Sequence, residues 1–142
     1  MDELTDDDRL VDALAQTAFW VTSALNRVAA DNDMSITQLR MLGILRGRSP
    51  RMTDLATHLG LEKSTLSGLI DRAERRGLVT RRPSDDDKRA IEIALTPQGD
   101  DAARRLESDV RSAILPHTRR IDSTDQTHLT AILEKMLGPT AP

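Results

Sequence analysis

The amino-acid sequence predicts a mainly α-helical protein with one small β-hairpin, and three observations carry this prediction. Apolar residues recur at helical spacing over most of the 142 residues, for example across 66–73. The stretch 91–95 alternates between apolar and other residues, which is typical of a half-buried strand. Glycine and proline separate these segments, most clearly at Gly60 and Pro83.

Length and composition set the first limits. A chain of 142 residues is one domain, or one domain plus an extension, and can bury a core of useful size. The chain has no cysteine, which excludes disulfides and thiolate metal sites. It has neither an apolar run of about 18 residues nor a leader pattern. We therefore expect a cytoplasmic protein without a membrane partner.

The first elements are an acidic segment and a long helix. Residues 1–8 hold five acids and predict a flexible N-terminus, although Asp6–Asp8 would also suit the positive end of a helix. Residues 9–34 predict a helix used for dimerisation. Phe19 and Trp20 lie beside its main apolar stripe, so they cover either a partner or ligand surface, or only the core.

The next segment opens the predicted core, residues 35–96. Ser35–Gln38 has the spacing of a capping box, and the helix that follows should reach about Arg48. Ser49 and Pro50 then end it. Arg51 and Met52 have the position of a short strand that could join the hairpin.

Two short helices follow, and their spacing predicts a tight helix-turn-helix. The first carries Leu55 and Leu59 on one face, and Gly60 stands where a left-handed residue ends the helix. Ala56 is small enough for a helix crossing, and the second apolar stripe starts at Leu66. These features occur in the required order.

The outer face of the second helix combines short hydrogen-bonding groups with cations. Residues 63–82 hold six cations and two anions, whereas the whole chain has a net charge of −3. A solvated basic face is the simplest explanation, but a cationic patch on an acidic protein favours phosphate binding and therefore DNA. The candidate DNA-binding residues are Lys63, Ser64, Thr65, Ser67, Gly68, Arg72, Arg75, Arg76, Arg81, Arg82, Lys88 and Arg89.

A hairpin directly after a recognition helix is a wing, and its tip holds Lys88 and Arg89, which we expect in a minor groove. The acids at 85–87 lack the glycine and distal glutamate of a calcium loop. We expect Asp85 and Asp87 to stabilise the wing by capping its turn and by an ion pair to Arg89.

The residues now support a resemblance that covers nearly the whole chain. The run Asp71–Val79, the wing pattern Asp87-x-Arg89 and the exit Leu95–Gly99 together resemble the MarR (multiple antibiotic resistance regulator) family. The resemblance implies a winged helix-turn-helix core flanked by dimerisation helices, and a DNA-binding repressor. Many members have arginine at the position of Gly68, so one common base contact is absent here.

Residues 97–142 predict C-terminal dimerisation helices. Pro97 suits the first turn of one helix, and Pro116, inside that helix or at its end, should kink it. Ser123–Gln126 predicts another capping box. The apolar faces of these helices would pair with a second copy, which predicts a homodimer on a palindromic operator of double-stranded DNA.

The resemblance also implies a small aromatic anion as effector, bound between the dimerisation helices and the core. Carried over by position, the effector residues are Trp20, Arg40, Met41, Ile44 and His117. Packing explains each of these residues equally well. We expect no enzyme activity, no cofactor and no metal site, because nucleophile, phosphate-loop and ligand spacings are lacking. The alternative function is a winged helix scaffold for protein interactions, with weak, non-specific DNA binding; a metal or protein effector is a third reading.

Overall fold

The computed structural model describes residues 5–139; the remaining parts of the predicted N-terminal and C-terminal segments, 1–4 and 140–142, lie outside the described residues. Six helices and one hairpin follow in order. They are α1 (Asp6–Asp31), α2 (Ile36–Leu45), α3 (Met52–Leu59), α4 (Lys63–Arg75), β1 (Val79–Pro83), β2 (Ile91–Leu95), α5 (Pro97–Thr118) and α6 (Ser123–Leu137). The predicted fold class, mainly α with a small β-wing, is confirmed.

The start of α1 corrects one expectation. The flexible N-terminus was expected to reach Asp8, but α1 already begins at Asp6. Thr5 accepts a hydrogen bond from the Asp8 backbone N–H, and the Asp8 carboxylate accepts one from the Thr5 N–H at 3.1 Å. This reciprocal capping box satisfies two otherwise free donors. The alternative expectation, in which Asp6–Asp8 help to start the helix, therefore agrees with the structure.

Two predicted capping boxes differ from the structure. Ser35 does accept from the Gln38 N–H, but the Gln38 side chain does not return to Ser35. At α6 the cap is Asp122, one residue earlier than expected. Gln126 instead donates to the carbonyls of Thr118, the last residue of α5, and of Ile121 in the loop that follows, at 2.9 and 3.0 Å.

The core lies among α2, α3, α4 and β2, with α5 closing one side. Its least exposed side chains are Met41, Leu42, Leu45, Leu55, Leu66, Ile70 and Ile93. Ala102, Ala103 and Leu106 bring α5 onto this cluster, and Val28 brings α1. Residues from seven elements, α1 to α5 and both strands, thus share one apolar interior, which holds α4 and the wing in place.

The wing is a two-stranded antiparallel sheet with Val79 opposite Leu95 and Pro83 opposite Ile91. Arg51 adds an isolated bridge to Glu92, and the Ile93 N–H donates to the Pro50 carbonyl at 2.9 Å. The expected third strand is therefore reduced to one residue, since Met52 already begins α3. This bridge ties the hairpin to the start of the helix-turn-helix.

Candidate nucleic-acid interface

The turn between α3 and α4 has the geometry that its sequence predicts. Gly60 is left-handed, with φ 64°, and the Leu61 N–H donates to the Ala56 carbonyl at 3.0 Å. Leu66, Leu69, Ile70 and Ala73 are buried on the inner side of α4. The opposite side of α4 therefore faces away from the core.

The predicted residues on α4 differ in exposure. Lys63, Ser64, Thr65, Arg72 and Arg75 are exposed, whereas Ser67 and Gly68 are half-buried. A Cβ on Gly68 would meet only the Arg72 Nη1 atom, at 3.6 Å. The position has room for a side chain, so the missing arginine is not excluded by packing.

Arg81 joins the wing to α4. Its guanidinium forms ion pairs with Asp71 at 2.8 Å and Glu74 at 2.7 Å, and it donates to the Ser67 carbonyl and hydroxyl oxygens at 3.3 Å. Burial lowers the pKa of Arg81, but these two carboxylates outweigh burial, so the net pKa is raised above its usual value. Arg81 therefore stays charged and bound to α4.

Two more predicted DNA-binding cations have partners within the protein. Arg82 lies 3.5 Å from Glu92 and donates to the Ser49 hydroxyl at 2.9 Å. Arg76 donates to the backbone carbonyls of Asp33 at 2.8 Å and Asn32 at 3.1 Å. Both side chains hold neighbouring segments together, which reduces what they can offer to DNA.

The wing tip differs from expectation in one respect. The Asp87 carboxylate accepts from the backbone N–H of Arg89 at 3.0 Å, and no ion pair joins the Arg89 guanidinium to residues 85–87. Asp85 is exposed. The turn is thus stabilised by a hydrogen bond from the backbone, because an aspartate carboxylate readily accepts from the N–H two residues later. Lys88 and Arg89 remain exposed.

A concave surface of about 360 Å³ lies where α3, α4 and the wing meet. Arg51, Lys63, Ser67 and Arg89 line it, together with Thr53. Sequence reasoning missed Arg51 and Thr53 as site residues. Their place directly before and within the first turn of α3 was the available signal, because a helix start presents free N–H groups.

The helix starts at this surface are unlike the others described. Side chains of Thr5, Ser35, Thr96 and Asp122 cap α1, α2, α5 and α6. The caps of α3 and α4, Arg51 and Glu62, make no side-chain hydrogen bond. Their first-turn N–H groups are therefore free to bind an anion such as a phosphate.

The five predicted effector residues do not form one site. Trp20 and His117 do meet, with ring centroids 3.8 Å apart. Arg40, however, donates to the His58 carbonyl at 3.1 Å, and Met41 is fully buried in the core. Arg40 and Met41 are adjacent in α2, and the sequence did not reveal that they contact different parts of the protein.

A different, mostly apolar cavity of about 500 Å³ lies between α2 and α5. Leu39, Leu42, Leu106 and Val110 line it, and an ion pair joins Arg46 to Glu107 at its edge. None of the five predicted residues lines it. The apolar stripes of α2 and α5 did not predict this cavity, since the spacing of apolar residues along a helix does not show how closely two helices pack.

Two further findings concern other classes of site. Among residues 5–139, no group of three or more His, Asp or Glu side chains could hold a metal ion. Within the same range, no helix is long and apolar enough to cross a membrane.

A helix-turn-helix, a two-stranded wing and a cationic outer face define the winged helix-turn-helix class. The family model described as "MarR family" matches residues 32–90. The homoprotocatechuate degradative operon repressor of Escherichia coli is 28% identical over 133 residues, which cover 92% of this chain and 89% of the relative. The regulator YfiV of Bacillus subtilis is 35% identical over 65 residues, 45% of this chain and 41% of that protein.

Solved structures agree on the fold. CouR from Rhodococcus jostii RHA1, bound to p-coumaroyl-CoA, has a TM-score of 0.80 and 24% identity, with 100% of this chain and 99% of that chain covered. The helix-turn-helix and wing of this chain, within residues 32–90, are those of the MarR family of transcriptional regulators.

Proposed function

We propose that this regulator binds a palindromic double-stranded DNA operator as a homodimer and represses transcription. The observation that carries the proposal is one continuous outer surface with free donors. It joins the uncapped starts of α3 and α4 to exposed Lys63, Lys88 and Arg89. Free N–H groups and cations together suit phosphates, while Ser64 and Thr65 at the start of α4 suit base edges.

The proposed dimer rests on the terminal helices. α6 has no buried residue, and Ile132, Met136 and Leu137 are 55%, 57% and 75% exposed. Leu10, Val11 and Phe19 of α1 are also exposed. Apolar surface of this extent marks an interaction site. A second copy with twofold symmetry would set two α4 helices roughly 34–36 Å apart, one turn of DNA.

We propose the cavity between α2 and α5 as the effector site, in place of the five residues predicted from the sequence. Its apolar lining suits an aromatic or other apolar body, and Arg46 at its edge suits an anionic group. A ligand there would compete with Glu107 for Arg46. Because α2 belongs to the core and α5 leaves it toward α6, occupancy would change the spacing of the two α4 helices. The CouR structure contains bound p-coumaroyl-CoA, and the Escherichia coli relative is named as the repressor of a homoprotocatechuate degradative operon.

The decisive experiment is binding to the DNA upstream of the protein's own gene, against a scrambled duplex, across a salt series. We expect specific binding by two protomers, with affinity that falls steeply as salt increases. Arg89→Ala should lower operator affinity by about tenfold with unchanged thermal unfolding, because its side chain makes no ion pair in the described structure. Arg105→Ala, an exposed arginine on α5, is the matched control.

The same experiment distinguishes a DNA-binding repressor from the alternative function, a scaffold for protein interactions. A protein-interaction scaffold would bind both duplexes weakly and equally, and it would tolerate loss of Lys88 and Arg89. Unfolding of Arg89→Ala in parallel with lost binding would instead reject the wing-tip role.

A further inference from the structure

A second cationic recess lies at the other end of α4, against the start of α2. It has a volume of about 600 Å³. Arg72, Arg75 and Arg76 line it from α4, Ser35 and Gln38 line it from α2, and Asp33 lies between them. Three guanidinium groups against one carboxylate give the recess a net positive charge.

The arginines have different roles in this recess. Arg76 is held by the carbonyls of Asn32 and Asp33, at 3.1 and 2.8 Å. These bonds fix the segment before α2, where Asp33 has the unusual φ of 55°. Arg72 and Arg75 are exposed and form no ion pair within residues 5–139. Arg76 positions the start of α2, and the other two are available to a ligand.

Gln38 is the observation that points to a ligand. The residue is only 8% exposed, and its side-chain amide, which makes no hydrogen bond among the described residues, is not itself sealed from solvent but lines the recess. It lines the recess in the first turn of α2, where the helix dipole is positive. The Ser35 hydroxyl accepts from the Gln38 N–H at 3.1 Å, so its proton is free to be donated. An unpaired amide donor that lines the recess beside three arginines suits an anion with several oxygens.

The recess also continues the outer face of α4. Ser64, Gly68, Arg72 and Arg75 follow one another at steps of four, four and three residues, which places them along one side of the helix. A DNA strand that borders the groove occupied by α4 would pass the recess. This position differs from the wing side, where Arg51, Lys63 and Arg89 meet.

We propose that this recess binds a phosphate group, held by Arg72, Arg75, the Gln38 amide and the start of α2. Its occupant in the operator complex is a backbone phosphate, which rests on the function proposed above. A phosphate-bearing small molecule has the same chemistry and is the other source to be tested.

Gln38→Glu tests the site without removing the helix cap. Glutamate at this position can complete the capping box with Ser35 and suits the helix dipole, so thermal stability should be kept or raised. Its charge should repel a phosphate and weaken binding to operator and unrelated duplex by the same factor, at least about tenfold. Gln16→Glu on the exposed face of α1 makes the same charge change elsewhere. Equal binding by the two variants would overturn the proposal for DNA.

Arg75→Ala gives an independent reading. Loss of one phosphate contact should lower the slope of log affinity against log salt by about 0.9, and Arg105→Ala should leave the slope unchanged. An unchanged slope for Arg75→Ala would also count against the DNA phosphate.

A titration with inorganic phosphate distinguishes a DNA backbone phosphate from a phosphate-bearing small molecule as the occupant of the recess. The protein is titrated with phosphate at constant ionic strength, and the Gln38 side-chain NH2 signals are followed by NMR. A saturable shift that Arg75→Ala abolishes shows binding of a free phosphate. DNA effects without this shift assign the recess to the backbone. Absence of both overturns the proposal. If the protein binds no duplex at all, the operator function fails, and the titration alone decides the recess.

Discussion

At the scale of single residues, an arginine's surroundings decide whether it stabilises the protein or remains free for DNA. Arg75 is the last residue of α4, and Arg81 lies shortly after it on β1. Arg81 has two carboxylates and the Ser67 oxygens around it, whereas Arg75 is exposed. Sequence alone grouped them, because both add to the same local positive charge.

Arg81→Ala should reduce the free energy of unfolding by about 1–2 kcal/mol. The substitution removes hydrogen-bonded ion pairs to Asp71 and Glu74 from a guanidinium that is 28% exposed, so solvent screens them only in part. Urea unfolding measures the loss. The matched variant Arg82→Ala removes a 54% exposed side chain and should cost less than about 0.5 kcal/mol. Equal losses would show that Arg81 does not brace the wing.

Gly99→Ala should destabilise the protein by about 2–4 kcal/mol. A Cβ at this position would overlap the Leu78 backbone carbonyl, where α5 starts against β1. Thr96 closes the same junction, since its hydroxyl donates to the Gly77 carbonyl and accepts from the Gly99 N–H. Thermal and urea unfolding give the measurement.

The control for this prediction is Gly68→Ala, also within a helix. The Cβ has room there, and alanine should stabilise α4 by about 0.5–1 kcal/mol. A similar change in both variants would mean that α5 can move away from Leu78. If Gly68→Ala also lowers operator affinity, the missing side chain serves a close approach of DNA.

At the scale of elements, the caps separate two groups of helices. Four starts have a side-chain cap, whereas the starts of α3 and α4 have none. An open start costs stability, because first-turn N–H groups depend on water. A bound phosphate would compensate for that cost, which links local helix chemistry to the proposed function.

The capping box of α1 should make stability depend on pH. Hydrogen bonds from the Thr5 side chain and backbone lower the pKa of Asp8 below its usual value of 3.8. Its contribution is therefore complete above pH 3.8 and is lost as the pH falls through the lower pKa of the folded state. Wild type should exceed Asp8→Asn in stability at about pH 6, and the difference should shrink once the pH falls below 3.8.

The measurement is chemical unfolding of both proteins across this pH range. Asp12→Asn, an exposed change one turn further along α1, is the control and should show no such pattern. A constant difference between wild type and Asp8→Asn would indicate that the Asp8 charge does not strengthen the cap.

At the scale of the whole molecule, the fold has one interior and one uncovered side. The core is shared by α1 to α5 and both strands, while α6 contributes no buried residue. A helix with an apolar face and no cover in its own chain needs a partner, since apolar area in water is unfavourable. The proposed dimer would supply that cover and would also set the spacing of the two α4 helices.

Ile132→Glu should therefore raise the dissociation constant of the dimer by about 10–100-fold. Its side chain is 55% exposed in one chain, so the folded protomer tolerates the change, whereas an apolar interface would bury a charge. Sedimentation equilibrium measures the association, and operator affinity should fall with it. Ala131→Glu, exposed on the opposite side of α6, is the control. Unchanged association of Ile132→Glu would exclude this face from the interface.

The sequence by itself determined the order of elements, the helix-turn-helix and the wing. These features depend on neighbours in the chain: the stripe from Leu66 to Ala73, the left-handed Gly60 and the alternation in β2. The candidate cations were also found, because charge can be counted. Helix ends were less accurate, as the early start of α1 and the Asp122 cap show.

Only the tertiary structure decided which cations are free and where cavities lie. Arg76 is engaged by carbonyls more than forty positions earlier, and the Arg46–Glu107 pair joins helices on either side of the wing. The burial of Gln38 beside three arginines has the same origin. Such partners are distant in the chain and meet only through packing of the core, so no local pattern of residues records them.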